Sequence, residues 1–343
     1  MTIMLVVERW PTKFTAWQPV EQLRRHWKTA LAAGAVILLV CAAGTGCRSG
    51  PPSKSSQSTT TPTRPTVTPT APGYGSQTVL PFTGLQHPTQ VTVDNGGNVY
   101  VTDTKNNRVL KLAPESSAQT VLPFTGLTTP TGLAVDNAGD VYTTDAASEG
   151  AGDTRLLKLA AGTTTQTEIF ITPDTVAWGP AEVAVDRAGN VYITRTNGWV
   201  EKLAAGSMTE TRVPFTDNPT SVGVDTSGHV YAAVGNACGL DSHEHLVKVD
   251  PGANTQTRLP VTDLSCVYGV AVDDPGNVYV SDTTITVTKS RVLRLAAGTS
   301  APAELPFTGL KNPLGVAVDT SGNVYVVDTD NNRVLKLSAQ SVR

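Results

Sequence analysis

The chain is short of charge, and neither sign dominates. Only 16% of its 343 residues are charged, with 26 Lys and Arg against 29 Asp and Glu, a net charge of −3. A basic excess able to neutralise a phosphate backbone is missing, which excludes nucleic acid as the partner. Helical patterning is also missing. After residue 48 no window repeats its apolar residues every 3.6 positions, so an all-helical domain is excluded. Cysteine is scarce. Cys41 and Cys47 sit near the start and Cys238 and Cys266 far downstream, too few for a disulfide-built scaffold.

What is present falls into distinct stretches. Residues 1–28 are mixed and contain Arg9, Lys13, Arg24, Arg25 and Lys28. Thr29 to Gly46 carries no charge. As a helix it spans roughly 27 Å, near the lower limit for a bilayer core. The cations before it place the N-terminus in the cytoplasm and send the remainder outward. Three readings stay open for residues 29–47: an uncleaved anchor, a signal cleaved near Ala42, Ala43 and Gly44, or a lipoprotein signal with Cys47 as the lipid acceptor. All three export residues 48–343, and the anchor and the lipoprotein readings tie the protein to the plasma membrane in the cell envelope, which is the expected location. Residues 48–75 are rich in Pro, Ser and Thr and read as a solvated tether.

From Ser76 to Arg343 one pattern repeats. Val-Asp is followed by two residues, Gly, one residue, then Val-Tyr. The Asp falls at 94, 136, 186, 225, 273 and 319, and a Tyr follows six residues later each time. Each copy divides into four strands. "GVAVD" ends at the Asp, a Gly-containing turn follows, then "NVYVTD", "RVLKL" and "TQTVLPF". Four antiparallel strands in about 45 residues are the mark of a propeller blade. The middle of the first strand is always small (Thr92, Ala134, Ala184, Gly223, Ala271, Ala317), as the crowded axis demands. The fold class predicted is all-β, a six-bladed β-propeller. The sixth copy shows no "QTVLPF" after its third strand, whereas Gln77 to Phe82 supplies one before the first copy. This orphan strand is predicted to close the ring by completing the last blade.

The runs Gly97 to Ala113 and Gly322 to Ser338 resemble NHL repeats. The longer phrase from "QTVLPFTGL" to "NNRVLKLAAG" is similar to the extracytoplasmic six-bladed sensor domain of mycobacterial serine/threonine kinase D. The resemblance implies a membrane segment, a linker and a propeller. It also implies a kinase before the membrane, and only 28 residues precede residue 29 here. The chain therefore reads as the sensor without its kinase.

Loops after the second strand and loops entering the next blade share one face, and both vary most. Recognition is expected there. The candidates are Trp178 and Trp199 as aromatic anchors, His87, and Asp241, His243 and His245 in the long loop of blade 4. Against them stand space-filling for the tryptophans and a solvated loop for the His-x-His pair. Cys238 and Cys266 lie in neighbouring loops and are expected to form a disulfide. Asp103 with Arg108, and Asp328 with Arg333, read as loop-pinning ion pairs. No catalytic set, metal site or cofactor is expected, since no blade offers His and Glu together near its inner strand. The expectation is a monomeric, membrane-tethered, non-catalytic binding module for an unidentified extracytoplasmic ligand or protein. The alternative is a lyase or lactonase-like enzyme with its site on the loop face.

Overall fold

The computed structural model describes residues 73–146, 154–169, 171, 181–195, 198–207, 209–235, 244–253, 255–284 and 289–340. Among these residues the strands form six four-stranded sheets. Blade 6 is split between the chain's two ends and so includes β1 (Tyr74–Val79). Blade 1 holds β2 (Pro88–Val93), β3 (Val99–Asp103), β4 (Arg108–Leu112) and β5 (Gln119–Val121). Blade 2 holds β6 (Pro130–Val135), β7 (Val141–Ala146), β8 (Thr154–Leu159) and β9 (Gln166–Ile169). Blade 3 holds β10 (Val183–Val185), β11 (Val191–Arg195), β12 (Trp199–Leu203) and β13 (Glu210–Val213). Blade 4 holds β14 (Pro219–Val224), β15 (Val230–Val234), β16 (His245–Val249) and β17 (Gln256–Arg258). Blade 5 holds β18 (Val267–Val272), β19 (Val278–Thr284), β20 (Lys289–Leu295) and β21 (Ala303–Glu304). Blade 6 is completed by β22 (Pro313–Val318), β23 (Val324–Asp328) and β24 (Arg333–Ala339).

The all-β six-bladed propeller is thus as the sequence predicts. The ring closes through β1, which pairs antiparallel with β24: Gln77 faces Leu337, Thr78 faces Lys336 and Val79 faces Leu335. The Leu80 N–H extends the ladder to the Val334 carbonyl at 2.9 Å. The strand begins at Tyr74, slightly before the Ser76 start read from the sequence.

Each seam between blades has its own apolar cluster. Val91, Val101 and Leu110 meet Tyr325, Val327 and Val334 between blades 1 and 6. Equivalent clusters fill the other five seams. Second strands such as β3 and β23 are buried along their whole length because a blade covers each side. This burial is why they read as continuous β-branched runs rather than alternating ones.

The inner strands surround an axial channel of about 660 Å³. The small middle residues, Ala134 and Ala317 among them, line it as expected. At one end of the ring lie the Asp-Gly turns. At the other, the loop face, lie the loops after the second strands and the loops entering each blade. Residues 29–47 and all of the tether before Gly73 lie outside the described residues. Among the described residues no helix is long and apolar enough to cross a membrane.

Candidate active site

The residue four before each repeat Asp stands near the loop-face end of an inner strand. Glycine occupies it in blades 2, 5 and 6 (Gly132, Gly269, Gly315); Gln90, Glu182 and Ser221 occupy the others. The inner strands approach closely here. A Cβ on Gly132 would meet the Ala181 carbonyl oxygen at 2.6 Å. On Gly315 it would run into the Gln90 side chain. Gly315 leaves room for the Gln90 side chain, and the polar side chains of blades 1 and 3 meet. Gln90 Nε2 donates to Glu182 Oε2 at 2.5 Å, although blade 2 stands between them. Gln90 is held in turn, its Oε1 accepting the Val91 N–H at 2.9 Å. The Glu182 N–H donates to Thr194 Oγ1 at 2.8 Å, which fixes the backbone that carries the carboxyl.

Glu182 is 9% exposed and has no cationic neighbour in the structure described. Burial pushes its carboxyl up to about 8, and the Gln90 hydrogen bond pulls only weakly the other way. A second carboxyl lies on the loop face between blades 4 and 5. Glu244 accepts the Val267 N–H at 2.5 Å, and burial, with Asp282 nearby, pushes it up to about 7. Ser221 Oγ is buried without a hydrogen-bond partner among the described residues.

The residues singled out in the sequence do not converge. His87 is half-buried at the seam of blades 6 and 1, its N–H donating to Asn332 Oδ1 at 2.7 Å. His245 opens β16 in blade 4, its Nε2 3.8 Å from Asp217. Burial, then Arg258, lowers the pKa of that imidazole. Trp199 faces Arg195 in register, and the Arg212 guanidinium stacks 3.8 Å from its ring centre. The ring is therefore already engaged by its own blade. Trp178, Asp241 and His243 lie outside the described residues, as does Cys238. Cys266 is buried and disulfide-bonded. No group of three His, Cys, Asp or Glu able to hold a metal occurs among the described residues. The loop-pinning pairs are present, with Arg108 to Asp103 at 2.7 Å and Arg333 to Asp328 at 2.6 Å.

Gln90 and Glu182 were legible only by aligning the six inner strands. Polar residues in three copies of a position that is Gly in the other three are the signal, and His and Glu motifs do not carry it.

Residues 85–112 and 310–337 match the NHL repeat family. Two stretches of this chain are NHL repeats. They cover the loop into the blade and its first three strands in blades 1 and 6. No curated protein matches the chain in sequence. Among solved structures, a gluconolactonase from Xanthomonas campestris is 13% identical with a TM-score of 0.60, covering 77% of this chain and 89% of that one. An aldose sugar dehydrogenase from Streptomyces coelicolor is 16% identical with a TM-score of 0.57, covering 78% and 99%. Virginiamycin B lyase from Staphylococcus aureus is 13% identical with a TM-score of 0.52, covering 78% and 99%. At these identities the likeness shows the fold alone. It still corrects the expectation of a non-catalytic module, because propellers of this shape include enzymes of three kinds. That expectation rested on no blade offering His and Glu together near its inner strand; the structure places one buried carboxyl there, Glu182, without a His.

Proposed function

We propose that this propeller is an acid–base enzyme of the lactonase or lyase kind, with Glu182 as the group that moves the proton. The observation that carries the reading is the buried Glu182 carboxyl, pushed up to about 8 and hydrogen-bonded by Gln90 of blade 1. A carboxyl in that range is mostly protonated at neutral pH yet readily gives its proton up, which suits a general acid and base. In lactone hydrolysis it would take a proton from water as the water oxygen bonds to the carbonyl carbon. It would then return the proton to the ring oxygen as the acyl bond breaks. In a lyase reaction it would take a proton from carbon, the C–H electron pair would become a double bond, and the departing oxygen would leave with the proton. The gluconolactonase and the lyase among the similar propellers support this pair of chemistries.

The placement is proposed as extracytoplasmic. The disulfide at Cys266 supports an oxidising compartment. The uncharged run before Cys47 supports it too.

The full chain is to be assayed against a panel of lactones by proton release and against virginiamycin B by absorbance of the new double bond. Turnover should fall about 100-fold or more in Glu182→Gln. The pH–rate profile should break near 8. No turnover of any of these, or full activity in Glu182→Gln, overturns the reading.

A further inference from the structure

Eight lysines lie among the described residues, and six of them are engaged. Lys158, Lys248 and Lys289 pair with Asp140, Asp250 and Glu304 at 2.6, 3.1 and 2.9 Å. Lys111, Lys202 and Lys336 lie over the rings of Tyr100, Tyr192 and Tyr325. The remaining two, Lys105 and Lys311, have no ion pair and no ring contact among the described residues. They are far apart in sequence, yet both line one cleft of about 300 Å³ on the loop face.

The cleft exists because of its neighbours. Lys105 is in the short Asp-Thr-x-Asn-Asn-Arg loop of blade 1. Asp330 and Asn332 are in the matching loop of blade 6, and Lys311 is in the loop entering that blade. The two blades stand side by side at the closing seam, so two short loops face each other. His87 and Asn332 form the cleft wall, each with a left-handed backbone at φ 50°. Asn332 Oδ1 is occupied by the His87 N–H, and its Nδ2 has no acceptor among the described residues. The one carboxylate present, Asp330, receives only a 3.4 Å hydrogen bond from Asn312. Two lysines and an amide donor thus line a cleft that holds a single carboxylate, Asp330, in a chain of net charge −3.

We propose that this cleft binds an oxyanion: the phosphate, sulfate or carboxylate group of a small ligand, held between Lys105 and Lys311. Exposed ammonium groups attract such a group at modest cost in desolvation, and the concave wall supplies hydrogen bonds that a flat lysine pair lacks. His87 adds a linked proton. Burial, then Lys105, lowers its pKa, while Asp330 opposes them. With its pKa below the ordinary value the ring is mostly neutral at pH 7, and a bound anion raises its proton affinity. Binding therefore strengthens as pH falls. The inference does not rest on the acid–base reading of Glu182.

The test is calorimetric titration of the full chain at low salt with pyrophosphate, sulfate and citrate in turn. Binding of at least one is expected, weakened at least tenfold, about 1.4 kcal/mol, in the Lys105→Ala, Lys311→Ala double variant. The Lys289→Ala control should bind as the wild type does, and raised salt should weaken binding. Each single lysine variant should show part of the loss, which guards against a double variant that does not fold. Preference among the three anions identifies the bound group. No binding of any anion, or equal binding by the wild type and the folded double variant, overturns the proposal.

Discussion

Tyr142 donates its hydroxyl to Asp136 Oδ2 at 3.0 Å, six residues back along the chain. The same bond recurs in the other five blades. The other carboxylate oxygen, Oδ1, accepts the N–H groups of Ala138 and Asp140, both at 2.9 Å. The Asp shapes the turn, and the Tyr ties that turn to the second strand. Lys158 closes the unit from above, its ammonium 5.2 Å from the Tyr142 ring centre. The spacing that identifies the repeat is the reach of this one hydrogen bond.

Removing the two partners should have unequal effects. Tyr142→Phe deletes one hydrogen bond and is expected to cost about 1 kcal/mol. Asp136→Ala strands three donors and is expected to cost about 2–4 kcal/mol. Urea unfolding of the two variants gives the order. A Tyr142→Phe loss as large as the Asp136→Ala loss would show that the turn does not depend on its carboxylate.

Ring closure makes a separate prediction. Deleting residues 74–82 removes β1, leaves β24 as an open edge and uncovers Leu335 and Leu337, which are now fully buried. An open edge over exposed leucines is a template for association. Thermal melting and light scattering should show a lower midpoint and oligomers. A monomer that melts with the wild type would mean the ring does not need its closing strand.

The two raised carboxyls set a pH dependence. Glu182 and Glu244 bind protons more tightly folded, near 8 and 7, than unfolded, near 4.5. Between those values the native state holds more protons, so stability falls as pH rises. Each group contributes a slope of up to about 1.4 kcal/mol per pH unit. Glu182→Gln should flatten its share of the slope, most visibly between pH 5 and 8. Denaturant midpoints that stay level over that range in the wild type would show that neither carboxyl is held protonated.

The fold was legible because its signals are local and repeated. The Asp-to-Tyr spacing, the turn glycines and the "QTVLPF" orphan each report on neighbouring atoms, and β1 pairs where the missing strand required. The candidate site was not legible in the same way. Gln90 and Glu182 belong to different blades and meet at the axis, where Gly315 leaves room for the Gln90 side chain. The two unengaged lysines also come to line one cleft only through ring closure. Sequence motifs pointed instead to histidines and tryptophans, of which His245 and Trp199 are engaged by Asp217 and Arg212. Of the described candidates, His87 falls in a cleft, and for a reason the sequence did not show: the juxtaposition of two short loops.

Cys266 sits where it can fix more than a loop. Its N–H and that of Ser265 both donate to Asp282 Oδ1, at 3.2 and 2.9 Å. Asp282 is in turn clamped by Arg291 at 2.8 Å. A bond from Cys266 to Cys238 would fasten the long blade 4 loop to this network, beside Glu244 and the Val267 N–H that it accepts. Closing a loop of that length restricts the unfolded chain by about 3–4 kcal/mol. Non-reduced digests should therefore join the Cys238 and Cys266 peptides, and reduction or Cys238→Ser should lower the unfolding midpoint. The loss should also reach the loop face, because Glu244 depends on the same segment, and it should leave the seam between blades 6 and 1 unchanged. Two free thiols titrating in the native, unreduced protein would remove this link between the disulfide and the site.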